Sequence, residues 1–389
     1  MANRDRRIYL DHNATSPVRP EAVRAVRDVL ASSAANPSSL HAEGRRARAI
    51  VEEAREKVAA LVQLPPRDLV FTSGGSEAIA AAVRGVCDRA PEGRRRIVVS
   101  SVEHSSVLEA ARLAARWGFE AVEVPCDRDG RVLAEEFAAR LDDDVCLAAL
   151  QWANNETGVI QPVETVSHSC AAAGIPLLVD AVQGAGKISL DPRMANLDLV
   201  ALSGHKFGGP QGSGALIVRE GLKLAPLITG GAQEKRRRGG TEAVALTAGF
   251  GAAAEAALGS LKEASAKLLR LRVHIETRLR ERCPQVSIRG DGAPRLPNTV
   301  NFALSDVPGE TLVIALDVAG FALSTGSACA SGSRRPSHVI RAMGLGEKEA
   351  RASVRVSLGW NTSEDEVERF LEALPRLVEQ VRKGLLAED

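Results

Sequence analysis

Between about residues 65 and 220, short and almost uninterrupted apolar runs alternate with alanine-rich amphipathic stretches, and this pattern constrains the fold most. The runs are Leu69–Thr72, Ile97–Ser100, Val122–Val124, Val145–Gln151, Leu177–Asp180 and Leu199–Ser203, with Gly214–Val218 closing the series. Helical stretches lie between them, from Ser76, over Ser105–Trp117, Leu133–Leu141 and Glu164–Ala173. A strand that is apolar on both sides must be covered on both sides. Such strands separated by helices imply a mostly parallel sheet sandwiched by helices, an α/β fold.

Two helical stretches precede this block, about Glu21–Ser32 and Leu40–Leu61. After it, Thr247–Arg282 carries helical periodicity throughout and is expected to form one long helix. The remainder mixes strands (Asn298–Leu304, Val354–Leu358) with helices (Glu310–Val318 and from Ser363), a smaller α+β unit. A length of 389 residues suits about two cores. The expected division is a large α/β domain over 16–260 and a small α+β domain built from 1–15 plus 261–389.

Composition excludes several functions. The net charge of +1 gives no field that would draw nucleic acid or an anionic membrane. The basic run Lys235-Arg236-Arg237-Arg238 is read as a solvated loop. No apolar run has the length of a signal peptide or a membrane span, so a cytoplasmic protein is expected. The cysteines, Cys87, Cys126, Cys146, Cys170, Cys283 and Cys329, are scattered, without metal-binding spacing. They read as reduced thiols, with room for one reactive member.

Ligands of open α/β sheets bind beyond the carboxyl ends of the strands, so the residues after each run are the candidates. Ser73-Gly74-Gly75-Ser76 follows the first run; glycine at a strand-to-helix turn lets backbone N–H groups approach an anion. Glu103-His104-Ser105 follows the second, and Asn154-Asn155-Glu156 follows the fourth. Asp180, ending an apolar strand, needs a cationic partner, and Gln183 lies three residues on. Ser203-Gly204-His205-Lys206 follows the next run. Most lysines sit in polar or helical surface contexts, whereas Lys206 stands among glycines at a strand end. A partly desolvated lysine is an amine nucleophile. An amine, an acid for a ring nitrogen and a phosphate cradle are what pyridoxal 5′-phosphate (PLP) requires. Cys329, in Ser327-Ala328-Cys329-Ala330-Ser331, has only small neighbours, which suits an accessible thiol as well as an inert loop residue. Arg355 alternates with apolar residues on a strand, which suits either a carboxylate grip or a surface salt bridge.

These segments together resemble the NifS/IscS-type cysteine desulfurases, a branch of the class V aminotransferase-like PLP enzymes of fold type I. The likeness spans nearly the whole chain, from Tyr9-Leu-Asp-His-Asn-Ala-Thr15 through Trp152-Ala-Asn-Asn-Glu-Thr-Gly158, Asp180-Ala-Val-Gln183, Ser203-Gly-His-Lys206 and Gly240-Thr241-Glu242. Its most specific part is Ser324-Thr-Gly-Ser-Ala-Cys329 followed by Pro336-Ser-His-Val-Ile-Arg-Ala-Met-Gly344.

The resemblance implies that Lys206 carries PLP as a Schiff base and that His104 stacks on its ring and shuttles protons. It implies that Asp180 pairs with the ring nitrogen, Gln183 bonds the phenolic oxygen, and Gly75, Ser76, Ser203 and His205 hold the phosphate. Thr241 is implied to reach the phosphate of the other subunit of a homodimer. Asn155, beside the cofactor, and Arg355 are implied to grip the carboxylate of L-cysteine. The implied products are L-alanine and a Cys329 persulfide, whose sulfur passes to an iron–sulfur scaffold or a thiolation acceptor. A selenocysteine lyase or another class V enzyme would share Lys206 and Asp180 without requiring Cys329. The sequence departs from the family's habit at Ser76, which keeps a hydroxyl, at Arg334-Arg335 and at Gly359-Trp360-Asn361.

Overall fold

A computed structural model describes residues 7–32, 35–190, 197–325 and 336–386. Seven strands form the main sheet in the order Leu69–Thr72, Gly214–Val218, Leu199–Ser203, Leu177–Asp180, Val145–Gln151, Arg96–Ser100, Glu120–Val124. Only Gly214–Val218 runs against its neighbours; the others are mutually parallel. The strand Val145–Gln151 is buried along its whole length. Buried side chains on the two faces of the sheet form two hydrophobic clusters, so the apolar runs serve helices on both sides. The parallel strands therefore end along one edge. The chain presents Gly75, His104, Asp180 and Lys206 there in succession.

A third core belongs to a four-stranded antiparallel sheet ordered Ser324–Thr325, Ser353–Ser357, Thr299–Leu304, Val286–Ile288. The helices Leu261–Arg282, Gly309–Val318 and Glu364–Leu386 pack near it. The chain's first strand, Ile8–Tyr9, joins Phe321–Ala322 in parallel, so Ile8 and Leu10 are buried in this core. Residues from Pro336 to Arg351 behave differently: Val339, Ile340 and Met343 pack against the large-sheet core.

The long helix expected over Thr247–Arg282 is two helices, Val244–Gly259 and Leu261–Arg282, bent by 70°. The first is rich in alanine and glycine and packs against the helices Pro20–Ala31 and Ala42–Leu61. The second is charged, and only Leu268, Leu271, Ile275 and Leu279 form its apolar stripe, which faces the small core. The two halves serve different cores, so the axis turns at Ser260 despite unbroken helical composition. No single described helix is long and apolar enough to cross a membrane.

The basic run is not a free loop. Glu234, Lys235 and Arg236 all take left-handed backbone angles, with φ of 44°, 56° and 64°, which non-glycine residues adopt only when held. The Glu234 carboxylate supplies the hold. It accepts two bonds from Arg55 (2.9 and 2.8 Å) and one from the Phe71 amide (2.9 Å).

Candidate active site

The sheet edge borders a cavity of about 330 Å³ that brings together Gly75, Ser76, His104, Asn155, Asp180, Gln183, Ser203, His205, Lys206 and Arg355, within the size range of small-ligand sites. These are the sequence-predicted residues apart from two. Thr241 does not line the cavity; it is exposed in the segment before Val244–Gly259. Cys329 lies outside the described residues.

Lys206 ends the short turn Gly204–Lys206 that follows its strand. Its Nζ donates to the carbonyls of Asn13 (2.8 Å) and Ala14 (2.9 Å). The residues after the first strand thus come to the large sheet's edge and cap the lysine. Asp180 is buried, and one carboxylate oxygen accepts from the Val182 amide at 3.0 Å. Burial raises its pKa, opposed by the neighbouring His104 ring, by that amide bond and by the Lys206 ammonium. A cationic group seated beside it would remove the burial penalty. Gly75 opens the helix Gly75–Cys87; a Cβ on it would stand 2.9 Å from Val182 Cγ2, so the close approach requires glycine.

His104 caps the helix Ser105–Leu113, its Nδ1 accepting from the Ser106 amide at 3.1 Å. That assigns the proton of the neutral ring to Nε2. His205 pairs through Nδ1 with Thr15 Oγ1 at 3.0 Å, and burial, aided by Lys206 and Lys187, lowers its pKa to about 4. It is therefore a neutral donor or acceptor, not a second cation.

Arg355 is buried rather than part of a surface pair. It bridges Asp11 Oδ1 (2.6 Å) and the Asn155 carbonyl (3.1 Å), while its Nε has no hydrogen-bond partner among the described residues. A buried guanidinium that lines the cavity suits an incoming carboxylate. The departure at Gly359 has a packing reason: a Cβ there would overlap the His12 ring. Trp360 beside it donates to the Pro17 carbonyl at 3.1 Å and stacks under Arg19.

Several residues that matter here were not singled out by sequence reasoning. Asn13 lines the cavity. Lys187, grouped by sequence with ordinary lysines, is 6% exposed and bonds Asn13 and Gln183. Glu103 is fully buried behind His104, accepting from Ser100 Oγ (2.6 Å) and the Gln151 amide (2.7 Å), and burial pushes its pKa up to about 8. Glu156 is buried, receives Ser337 Oγ at 2.5 Å, and is raised to about 7 by burial. Ser337 caps the helix His338–Ala342, and His338 Nε2 meets the Glu103 carbonyl at 2.9 Å. The two buried acids thus contact the chain immediately after the cysteine segment. Charged residues inside apolar surroundings carry no local signature; only an acid directly after a strand run, as with Glu103, hinted at it.

The chain matches the aminotransferase class-V family over residues 8–370. It is 42% identical over 378 residues to the cysteine desulfurase of Cereibacter sphaeroides, covering 97% of each chain. It is 38% identical over 377 residues to the cysteine desulfurase IscS of Dictyoglomus turgidum, covering 97% of this chain and 96% of the other. A solved NifS-like protein superposes with a TM-score of 0.89 at 33% identity, covering 96% of this chain and 99% of the other.

Proposed function

The chain belongs to the aminotransferase class-V family, as a cysteine desulfurase of mostly parallel α/β fold, and we propose that it binds PLP on Lys206 and takes sulfur from L-cysteine onto Cys329. The observation that carries this reading is the convergence of Lys206, buried Asp180 and Gly75 on one cavity. The residues present fit the cofactor. Asp180 is a buried acid in want of a cation, Gly75, Ser76, Ser203 and His205 ring one end with donors, and Lys206 offers the amine.

Bound PLP supplies an electron sink that makes the substrate's Cα–H acidic. The chain's residues do the rest. Arg355 and Asn155, both lining the cavity, orient the substrate carboxylate. Lys206 Nζ, once free, takes the α-proton; its two carbonyl contacts hold it at the cavity wall. His104 Nε2 donates and accepts protons at the substrate, with Nδ1 fixed by the Ser106 amide. Gln183, on the cavity wall, would hold the ring's phenolic oxygen when the cofactor is bound. Cys329, as thiolate, attacks the substrate sulfur: an S–S bond forms, the C–S bond breaks, and its electron pair stays on the carbon, which is then protonated to give alanine.

The reading extends to assembly and context. Thr241, exposed outside its own cavity, reaches the phosphate of a second subunit in a homodimer. The chain divides into domains 16–260 and 1–15 plus 261–389, the sulfur recipient is an iron–sulfur scaffold or a thiolation protein, and the setting is the cytoplasm. The test is mass spectrometry after L-cysteine treatment, with alanine assayed in parallel. One added sulfur is expected on Cys329, and Cys329→Ser should lose it while keeping the cofactor's visible absorbance. Alanine production by Cys329→Ser at the wild-type rate would refute sulfur transfer through this residue.

A further inference from the structure

Lys187 lies behind the cavity wall, just after the turn in which Gly184 accepts its backbone N–H at 3.1 Å. Its Nζ donates to Gln183 Oε1 at 2.5 Å and to Asn13 Oδ1 at 3.0 Å. The same orientation of both amides follows independently from their other partners. Gln183 Nε2 faces the Asn13 carbonyl at 2.9 Å, a group that can only accept. Asn13 Oδ1 also receives Asn298 Nδ2 at 3.1 Å, while Asn13 Nδ2 donates to Thr299 Oγ1 (2.9 Å) and the Asn155 carbonyl (3.1 Å).

An amide nitrogen carries two hydrogens. Gln183 lines the cavity, and after its bond to Asn13 it has one N–H left to give. With its oxygen free, Gln183 would be held as a donor only by its single bond to the Asn13 carbonyl. Lys187 occupies that oxygen, so a flip of the amide would set Nε2 against an amine and Oε1 against a carbonyl oxygen. We propose that Lys187 is a positioning residue that locks Gln183 as a hydrogen-bond donor toward an anionic ring oxygen of the ligand. This rests on the PLP reading, in which that oxygen is the phenolic one.

The charged groups around Lys187 are Lys206 and Arg355, with His12 and His205 also within its field. Burial and those two cations lower the Lys187 pKa well below that of a free lysine. A deprotonated Lys187 still has two N–H donors for its two contacts, and although its lone pair could then accept from a flipped amide, the flip would still set Oε1 against the Asn13 carbonyl.

The test compares the apoprotein's affinity for PLP and for its 3-deoxy analogue, followed by tryptophan fluorescence, in wild type and Lys187→Met. Wild type should prefer PLP. In Lys187→Met, PLP should weaken by roughly tenfold or more, the effect of one lost bond to a charged acceptor, while the 3-deoxy analogue is held as before. Equal weakening of both ligands would mean a general packing role and would overturn the proposal, as would unchanged PLP affinity. A wild type that binds both ligands equally also overturns it, whereas a wild type that binds no PLP removes the cofactor reading itself. Should Lys187→Met give no soluble protein, the same comparison is made with Lys187→Gln. Its amide can face Gln183 either way, and the same outcomes decide.

Discussion

Glu156→Gln isolates a single buried proton. In the folded protein the carboxyl receives Ser337 Oγ, and burial raises its pKa from 4.5 to about 7, moderated by that bond and by the charges of Arg355 and His104. The folded state therefore keeps a proton that the unfolded chain releases between pH 4.5 and 7. Stability from this residue is fully present below pH 4.5 and is lost as pH rises through that window. At about 1.4 kcal/mol per pH unit, the loss is about 3 kcal/mol. Glutamine keeps the volume and an acceptor for Ser337 but cannot ionise. From pH 5 to pH 8 the variant should gain about 2.5 kcal/mol relative to wild type, on top of any pH-independent difference. Glu103 titrates in both and cancels. Urea unfolding followed by circular dichroism, at equal protein concentration across pH 5 to 8, reads the difference. A gap that stays constant across this range would refute the protonated Glu156. A variant less stable at pH 8 than at pH 5, relative to wild type, would reverse the argument.

Arg355→Lys removes the fork that bridges Asp11 and Asn155 at the cavity wall; KM for cysteine should rise roughly tenfold or more, with a smaller change in kcat. Glu234→Ala leaves Arg55 with Glu52 and the Leu69 carbonyl and releases three hydrogen bonds to the left-handed turn. The expected destabilisation is about 2–3 kcal/mol, read as a lower denaturation midpoint, and a loss under 1 kcal/mol would show that the pair behaves like an exposed one. Gly359→Ala drives a methyl into the His12 ring and should cost about 1–3 kcal/mol in thermal stability, with the helical Gly384→Ala, whose methyl meets nothing and which gains helix propensity, as a control that should not destabilise.

The sheet and most of its ligand edge were legible because each feature sits beside its own strand. Asp180, Gln183, His104 and Lys206 follow apolar runs directly, and a parallel sheet gathers such positions without long-range knowledge. The bend at Ser260 was not legible, because helical periodicity records that a face is buried and not which core buries it. Lys187 was missed for a related reason: its burial depends on Asn13 and Asn298, from distant parts of the chain, closing over it. Glu156 reads as part of a polar turn until Ser337, 181 residues away, arrives.

The capping of Lys206 by Asn13 and Ala14 has a consequence for synthesis. The strands of the large sheet, residues 69–218, are complete long before the chain is. The segment that caps the lysine leaves the ribosome first, yet it is anchored by Phe321–Ala322 and Ser357, which leave near the end. Until they emerge, the segment that supplies the two carbonyl contacts to Lys206 has no anchor in the small core. The order of translation therefore keeps the nucleophile unfinished until almost the whole polypeptide exists. An assembly that stalls short of residue 357 should display an ordered sheet with an unshaped ligand edge.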